Sequence, residues 1–187
     1  MNQTSVPGAR YDRVAVALHW FVGLWLLGQI AFGWALGLIA RGTPERGLAV
    51  NLHKSSGLVL ALFIAWRVLW RLRHAPPGYP AALSAMQQRI ARGGHALLYA
   101  CMVAMPLTGY LASNFSKHGI NFFNAYALAP WGPDDKSLYG LFNGAHDALA
   151  LLFSLLVAGH VLLGLHHAFI ARDGLFERMA LRARPGR

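Results

Sequence analysis

The sequence is short of charge and of cysteine. Charged residues make up 13% of its 187 positions, about half the share of an ordinary soluble chain. That composition argues against a water-soluble enzyme. The single cysteine, Cys101, leaves no disulfide framework and no cysteine-based zinc or iron–sulfur centre. Acidic side chains are scarcest: 7 Asp and Glu stand against 17 Lys and Arg, for a formal net charge of +10. In so apolar a chain this excess reads as basic ends at an anionic membrane surface, not as nucleic-acid binding. Hydrophobic residues supply 56% and aromatics 12%, which excludes disorder.

A membrane-spanning helix needs about 20 mostly apolar residues. Four segments qualify: 14–40, 47–66, 94–113 and 144–171. The expected fold is therefore all-α, a four-helix transmembrane bundle forming one domain over 1–187. The first segment is too long for a signal-peptide core and is read as retained. Four spans put both termini on one side. That side holds Arg10, Arg13, Arg67, Arg71, Arg73, Arg89, Arg92, Arg172, Arg178, Arg182, Arg184 and Arg187, while the other holds only Arg41, Arg46, Lys54, Lys117 and Lys136. The bias predicts both termini in the cytoplasm.

The connections differ in character. Arg41–Arg46 is a short outer turn. The inner loop opens on Pro76, Pro77, Gly78 and Pro80, then turns amphipathic over 82–90, where a short interfacial helix is expected. The outer loop from Asn114 to Asn143 carries Phe115, Phe122, Phe123, Tyr126, Trp131, Tyr139 and Phe142. Such aromatic density predicts a loop at the interface, partly covering the bundle.

Nine histidines stand out against so little charge. Ionisable groups inside spans are costly and point to function. Depth sorts them. His19 lies near the inner face and His53 near the outer one. On the fourth helix His146 is outer and His160 inner, about 21 Å apart along the axis and nearly four full turns, so both point the same way. His19 matches the depth of His160, and His53 that of His146. Two bis-histidine sites result, one above the other.

Two histidines on different helices suit a haem iron, which accepts axial ligands on opposite faces of a flat ring. Zinc wants a third or fourth ligand. No Cys-x-x-Cys-His occurs, so two haem b groups would be held non-covalently. Space beside each ligand is also predicted. The i+4 neighbour on the same helix face is Gly23 for His19, Gly57 for His53, Gly164 for His160 and Ala150 for His146. His95 has Tyr99 there. The alternative for each of the four is a histidine bonded across helices. His95 is read as bonding a propionate or a carbonyl, and His166 and His167 as interfacial. Lys54 is the natural cation for an outer propionate; Arg13, Arg67 and Arg71 lie at the depth of an inner one, where the positive-inside rule alone also explains them. Gly33-x-x-x-Gly37 reads as close helix approach, with homodimerisation its other use. Pro106 reads as a kink and Cys101 as buried packing.

These residues resemble the prokaryotic cytochrome b561 family. The carrying motifs are Arg10-Tyr11-Asp12-Arg13 leading to Leu18-His19-Trp20, Leu52-His53-Lys54-Ser55-Ser56-Gly57 and Arg67-x-x-Trp70-Arg71. They continue through Gly94-His95-Ala96-Leu97-Leu98-Tyr99, Met105-Pro106-Leu107-Thr108-Gly109, the pair His146 and His160, and His166-His167 with Arg172-Asp173-Gly174. The resemblance implies a di-haem protein of the bacterial inner membrane whose four ligands fall on His19, His53, His146 and His160. It also implies electron transfer, with superoxide oxidation coupled to ubiquinone reduction as the sharpest version. The rival is a cytochrome b subunit passing electrons between quinone and a periplasmic redox protein. A haem-free metal-ion carrier is a second rival, weakened because no polar path links the two histidine layers.

Overall fold

The computed structural model describes residues 10–80 and 83–181. Four long helices run through it: α1 (Arg13–Ala35), α2 (Pro44–Arg73), α3 (Ala85–Asn114) and α4 (Lys136–Leu165). All four are long and apolar enough to cross a membrane. The expected four-helix bundle is present.

Local chemistry fixes the helix starts. Asp12 caps α1 by accepting from Ala15 N at 2.8 Å and also accepts from Trp70 Nε1 at 3.1 Å, tying α1 to the end of α2. Slight burial raises the Asp12 carboxyl, but these bonds outweigh it and hold the group below the usual carboxylate range. Thr43 caps α2 ahead of Pro44, whose fixed φ suits a first helical position. Ser84 and Gln87 form a reciprocal capping box on α3. Asp135 caps α4.

The helices outrun their apolar segments. α2 continues to Arg73 instead of stopping at Trp66, and α3 begins at Ala85 instead of Gly94. Hydropathy marks where hydrocarbon ends, while backbone hydrogen bonding continues beyond it. The separate interfacial helix expected over 82–90 is instead the start of α3, launched by the Ser84 cap and not interrupted (Ala82 lies outside the described residues). α1 ends early, in a 3₁₀ turn over Leu36–Leu38 held by Arg46, which donates to Leu36 O and, at 2.9 Å, to Ile39 O. Arg182, Arg184 and Arg187 lie outside the described residues.

The outer loop is shorter than expected, because α4 already begins at Lys136 and not at Gly144, and what remains of it is not irregular throughout. β1 (Ile120–Phe122) and β2 (Tyr126–Leu128) form an antiparallel hairpin, turning through Phe123 and Asn124 at φ 49° and 59°. Polar side chains of α2 pin it over the outer end of the bundle. Ser55 Oγ accepts from Phe123 N at 2.7 Å, Asn51 Nδ2 donates to Asn124 Oδ1 at 2.9 Å, and Lys54 Nζ donates to Gly119 O at 3.0 Å. Ser55 is fully buried, so its hydroxyl is the central rivet. Ser55→Ala should cost about 1 kcal/mol. Hydrogen exchange at the Phe123 amide should then quicken while the amides of α4 keep their protection.

Backbone neighbours follow chain order, α1 on α2, α2 on α3 and α3 on α4. Side chains bridge from α4 to α1 and α2. The buried core is Val22, Leu60, Ile64, Cys101, Met102, Phe153 and Val157, at mid-height. Large apolar side chains face outward, with Leu62 71% and Leu155 65% exposed. Lipid solvates such a face, whereas water would not. At the end carrying both termini, Trp20 Nε1 donates to Met179 O at 2.6 Å and Arg178 Nη2 to Gly78 O at 2.8 Å, folding the C-terminal segment back over the bundle.

Candidate functional site

The fold gathers the predicted histidines into two layers. Near the inner end of α4 the His19 and His160 ring centres are 6.0 Å apart, with planes at 73°. Near its outer end the His53 and His146 centres are 6.5 Å apart, with planes at 84°. An imidazole nitrogen sits about 2 Å from a bound metal, and the ring centre about 1 Å behind it, so two axial rings on one iron have centres about 6 Å apart. Both pairs have that spacing. Among the described residues no three His, Cys, Asp or Glu side chains form a metal centre by themselves. A pair needs a partner that completes the coordination itself, as a porphyrin does.

His95 is the surprise of the inner layer. Its ring centre lies 5.6 Å from that of His160. Its Nδ1 donates to Ala91 O at 2.7 Å, the bond that commonly orients a ligating imidazole. The carbonyl partner named for His95 from sequence is thus present. On geometry alone, both His19 and His95 face His160.

The Nδ1 atoms of three predicted ligands sit in different surroundings. His146 Nδ1 lies 3.0 Å from Met105 O, so that nitrogen carries the proton and Nε2 is left as the donor atom. His19 Nδ1 accepts from Arg67 Nη2 at 3.1 Å, since a guanidinium can only donate. A neutral His19 so bonded keeps its proton on Nε2. That nitrogen becomes available to a metal once Arg67 pairs with another acceptor. His53 Nδ1 is buried without a hydrogen-bond partner.

The predicted cations separate. Arg67 lies beside His19 and 5.5 Å over the Tyr99 ring. Arg71 Nη1 is buried without a hydrogen-bond partner. Arg71 thus stands near the inner histidines with one donor group unmet, which a propionate would satisfy, whereas Arg67 is engaged by His19 and Tyr99. Nearby, burial pushes the Tyr11 hydroxyl above its usual range against the opposing pull of Arg71 and Arg178. Arg13 is exposed at the start of α1. Lys54 is engaged by the hairpin carbonyl of Gly119, a partner not visible in the sequence.

The glycines separate too. A Cβ on Gly23 or Gly164 would meet nothing within 4 Å, so space adjoins both inner ligands. At Gly57 the space is taken by Gln29, 3.1 Å from such a Cβ, whose amide donates to His53 O at 2.6 Å. Two further glycines matter that the same-helix count missed. A Cβ at Gly33 of α1 would lie 3.2 Å from His53 Cε1, and one at Gly109 of α3 would lie 3.1 Å from both Cε1 and Nδ1 of His146. Gly33 therefore serves close approach inside the chain, whereas Gly37 meets nothing within 4 Å. The signal in the sequence was only the presence of glycine at these depths. His166 and His167 begin a π-helical turn at the inner rim, where His167 pairs with Asp173 at 2.7 Å.

Known proteins are similar to this chain along nearly its whole length. The profile of the family described as prokaryotic cytochrome b561 matches residues 10–181. The Escherichia coli K12 protein named cytochrome b561 homolog 2 is 32% identical over 180 residues, covering 96% of this chain and 95% of that one. Cytochrome b561 homolog 1 of the same organism is 23% identical, covering 91% and 96%. A Yersinia pestis protein named probable superoxide oxidase CybB is also 23% identical, covering 91% and 95%. Nearly the full length of each relative is matched, and the family implies b-type haem, a bacterial membrane and electron transfer to or from a quinone or redox partner. The chain belongs to the prokaryotic cytochrome b561 family.

Proposed function

We propose that this single domain carries electrons across the bacterial inner membrane through two non-covalent b haems, oxidising superoxide on the outer side and reducing ubiquinone. Both termini then face the cytoplasm. His19 and His160 would hold the inner iron, His53 and His146 the outer one. The reading rests on one observation above all: two histidine pairs, at 6.0 and 6.5 Å, stacked at opposite ends of α4. The reaction balances as two superoxide ions giving one electron each, released as dioxygen, while ubiquinone takes two electrons and two protons. Haem iron supplies the one-electron capacity. The chain supplies the rest. Arg67 and Arg71 would neutralise propionates on the inner side, with Arg13 further out. Gly23 and Gly164 leave flat room beside the inner ligands, and Gly57 admits the Gln29 amide that secures the His53 backbone.

Lys54 decides how superoxide is met. Its ammonium lies near the outer ligands but is held by Gly119 O, so it acts by charge and by fixing the hairpin. An attraction at about 8 Å in water is worth about 0.5 kcal/mol, or roughly twofold in rate, and salt screens it over the same distance. Superoxide-driven ubiquinone reduction should be followed by stopped flow across a salt series. The rate should fall as salt rises, and Lys54→Gln should be about twofold slower at low salt, with both haems retained. A chain holding both haems yet inert to superoxide at every salt concentration would instead be a subunit that passes electrons between quinone and a periplasmic redox protein.

A further inference from the structure

We infer that α3 sets the outer haem's redox balance through His146: Met105, Thr108 and Gly109 form a positioning site that fixes this ligand's tautomer, seat and donor strength. The inference rests on the bis-histidine reading above and assigns work to a segment read from sequence as a family motif and a kink. Pro106 has no N–H and so leaves Met102 O without its usual i+4 donor; the carbonyls that side chains meet lie just beyond, at Ala104 and Met105. Thr108 Oγ1 lies 2.9 Å from Ala104 O and 3.0 Å from Met105 O. His146 Nδ1 lies 3.0 Å from the same Met105 O and 3.4 Å from Thr108 Oγ1. The single Thr108 hydroxyl hydrogen is shared between Ala104 O and Met105 O, and its share on Met105 O weakens that oxygen as an acceptor for the His146 N–H. Gly109 lets the ring come this close, since a Cβ there would lie 3.1 Å from Nδ1 and Cε1.

The other outer histidine has no such device. His53 Nδ1 is buried without a partner, and its ring is seated by packing against Gly33. Tuning through an Nδ1–H bond therefore falls on His146 alone. Donation from Nδ1–H to a carbonyl raises the basicity of the ligating nitrogen. A more basic ligand favours ferric over ferrous iron and lowers the potential.

The two neighbours then predict opposite signs. Gly109→Ala pushes the ring off Met105 O, so the outer haem should become easier to reduce. Thr108→Val removes the competing hydrogen and leaves Met105 O to His146, so it should become harder to reduce. Loss of such an outer-shell partner changes metal affinity by about tenfold or more; a tenfold change felt by one oxidation state alone is a tenfold change in the reduced-to-oxidised ratio, 59 mV for one electron. Redox titration and electron paramagnetic resonance of the haem-loaded protein read this directly, the outer haem being the one lost in His53→Ala. Gly109→Ala should shift the outer haem about tenfold, Thr108→Val should shift it in the opposite direction and less, and the inner haem should stay put. Gly140→Ala on α4, where a Cβ meets nothing within 4 Å, should move neither. If Gly109→Ala loses the outer haem alone, the seat is supported; whether that happens or the variant fails to fold, the sign in Thr108→Val decides. An outer potential unmoved in Thr108→Val, shifts of the same sign in both variants, or equal shifts of both haems would overturn the inference. A parent chain with two haems and unmoved potentials refutes this inference alone. A parent chain lacking the outer haem refutes the bis-histidine reading and this inference with it.

Discussion

If each histidine pair holds one haem, His53→Ala and His160→Ala should each reduce the haem content from two per chain to one, and should remove different haems. The two layers share only α4, on which His146 and His160 are about 21 Å apart. Nothing else in either pair is common to both. Losing one axial ligand leaves the iron a single protein bond and the porphyrin a poorly filled seat, so occupancy should fall nearly completely at the altered site. Haem extracted by acid-acetone and counted per chain gives the stoichiometry, and the surviving redox transition says which haem remains. The inner layer carries the sharper test, because His160 faces two rings, His19 at 6.0 Å and His95 at 5.6 Å. If His19 is the ligand, His19→Ala removes the inner haem and His95→Ala keeps both. The reverse result would transfer the role to His95, whose Nδ1 already donates to Ala91 O. It would leave His19 as the acceptor for Arg67.

Much of this was legible because a membrane simplifies the code. Hydropathy located all four helices, and helical rise alone placed His146 above His160 on one face. The histidine depths then paired across helices, and the rings do meet. What escaped was whatever depends on contacts between helices. Counting i+4 neighbours along one helix found Gly23 and Gly164, but the glycines that touch the outer rings, Gly33 and Gly109, lie on other helices. No spacing rule within a helix reaches them. The hairpin escaped for another reason. Its strands are three residues each, too short for alternation to register, and its turn places Phe123 in a left-handed conformation that favours glycine or asparagine. It is held from outside, by Ser55, Asn51 and Lys54 of α2. Conversely, the start of α3 was expected as a separate short helix over 82–90, and its continuity with the third span was missed. Ser84 and Gln87 spell a capping box, yet an apolar criterion begins counting only at Gly94.

Phe153→Ala should loosen both proposed haem sites at once, although Phe153 belongs to neither. It lies seven residues from His146 and seven from His160. Each such step drifts by only about 20° around a straight helix, so all three side chains share one face of α4. Phe153 is 1% exposed and sits in the core with Val22, Leu60, Ile64, Cys101 and Met102. It therefore fills the level between the two histidine layers. In a soluble core, truncating phenylalanine costs about 3–5 kcal/mol, combining lost transfer energy with the cavity left behind. In a bilayer the transfer part largely drops out, because lipid is as apolar as the core. The cavity part remains. About 100 Å³ of side chain is removed, and about 24 cal/mol per Å³ gives roughly 2 kcal/mol. Leu155, on the lipid face at 65% exposure, has no cavity to leave, so Leu155→Ala should change little. The measurement is thermal release of haem in detergent, followed by absorbance. Phe153→Ala should lower the release temperature of both haems together, since the lost contacts join α4 to the helices of both sites. Early release of one haem only would mean that the two sites are stabilised separately and that the buried level between them is a passive filler.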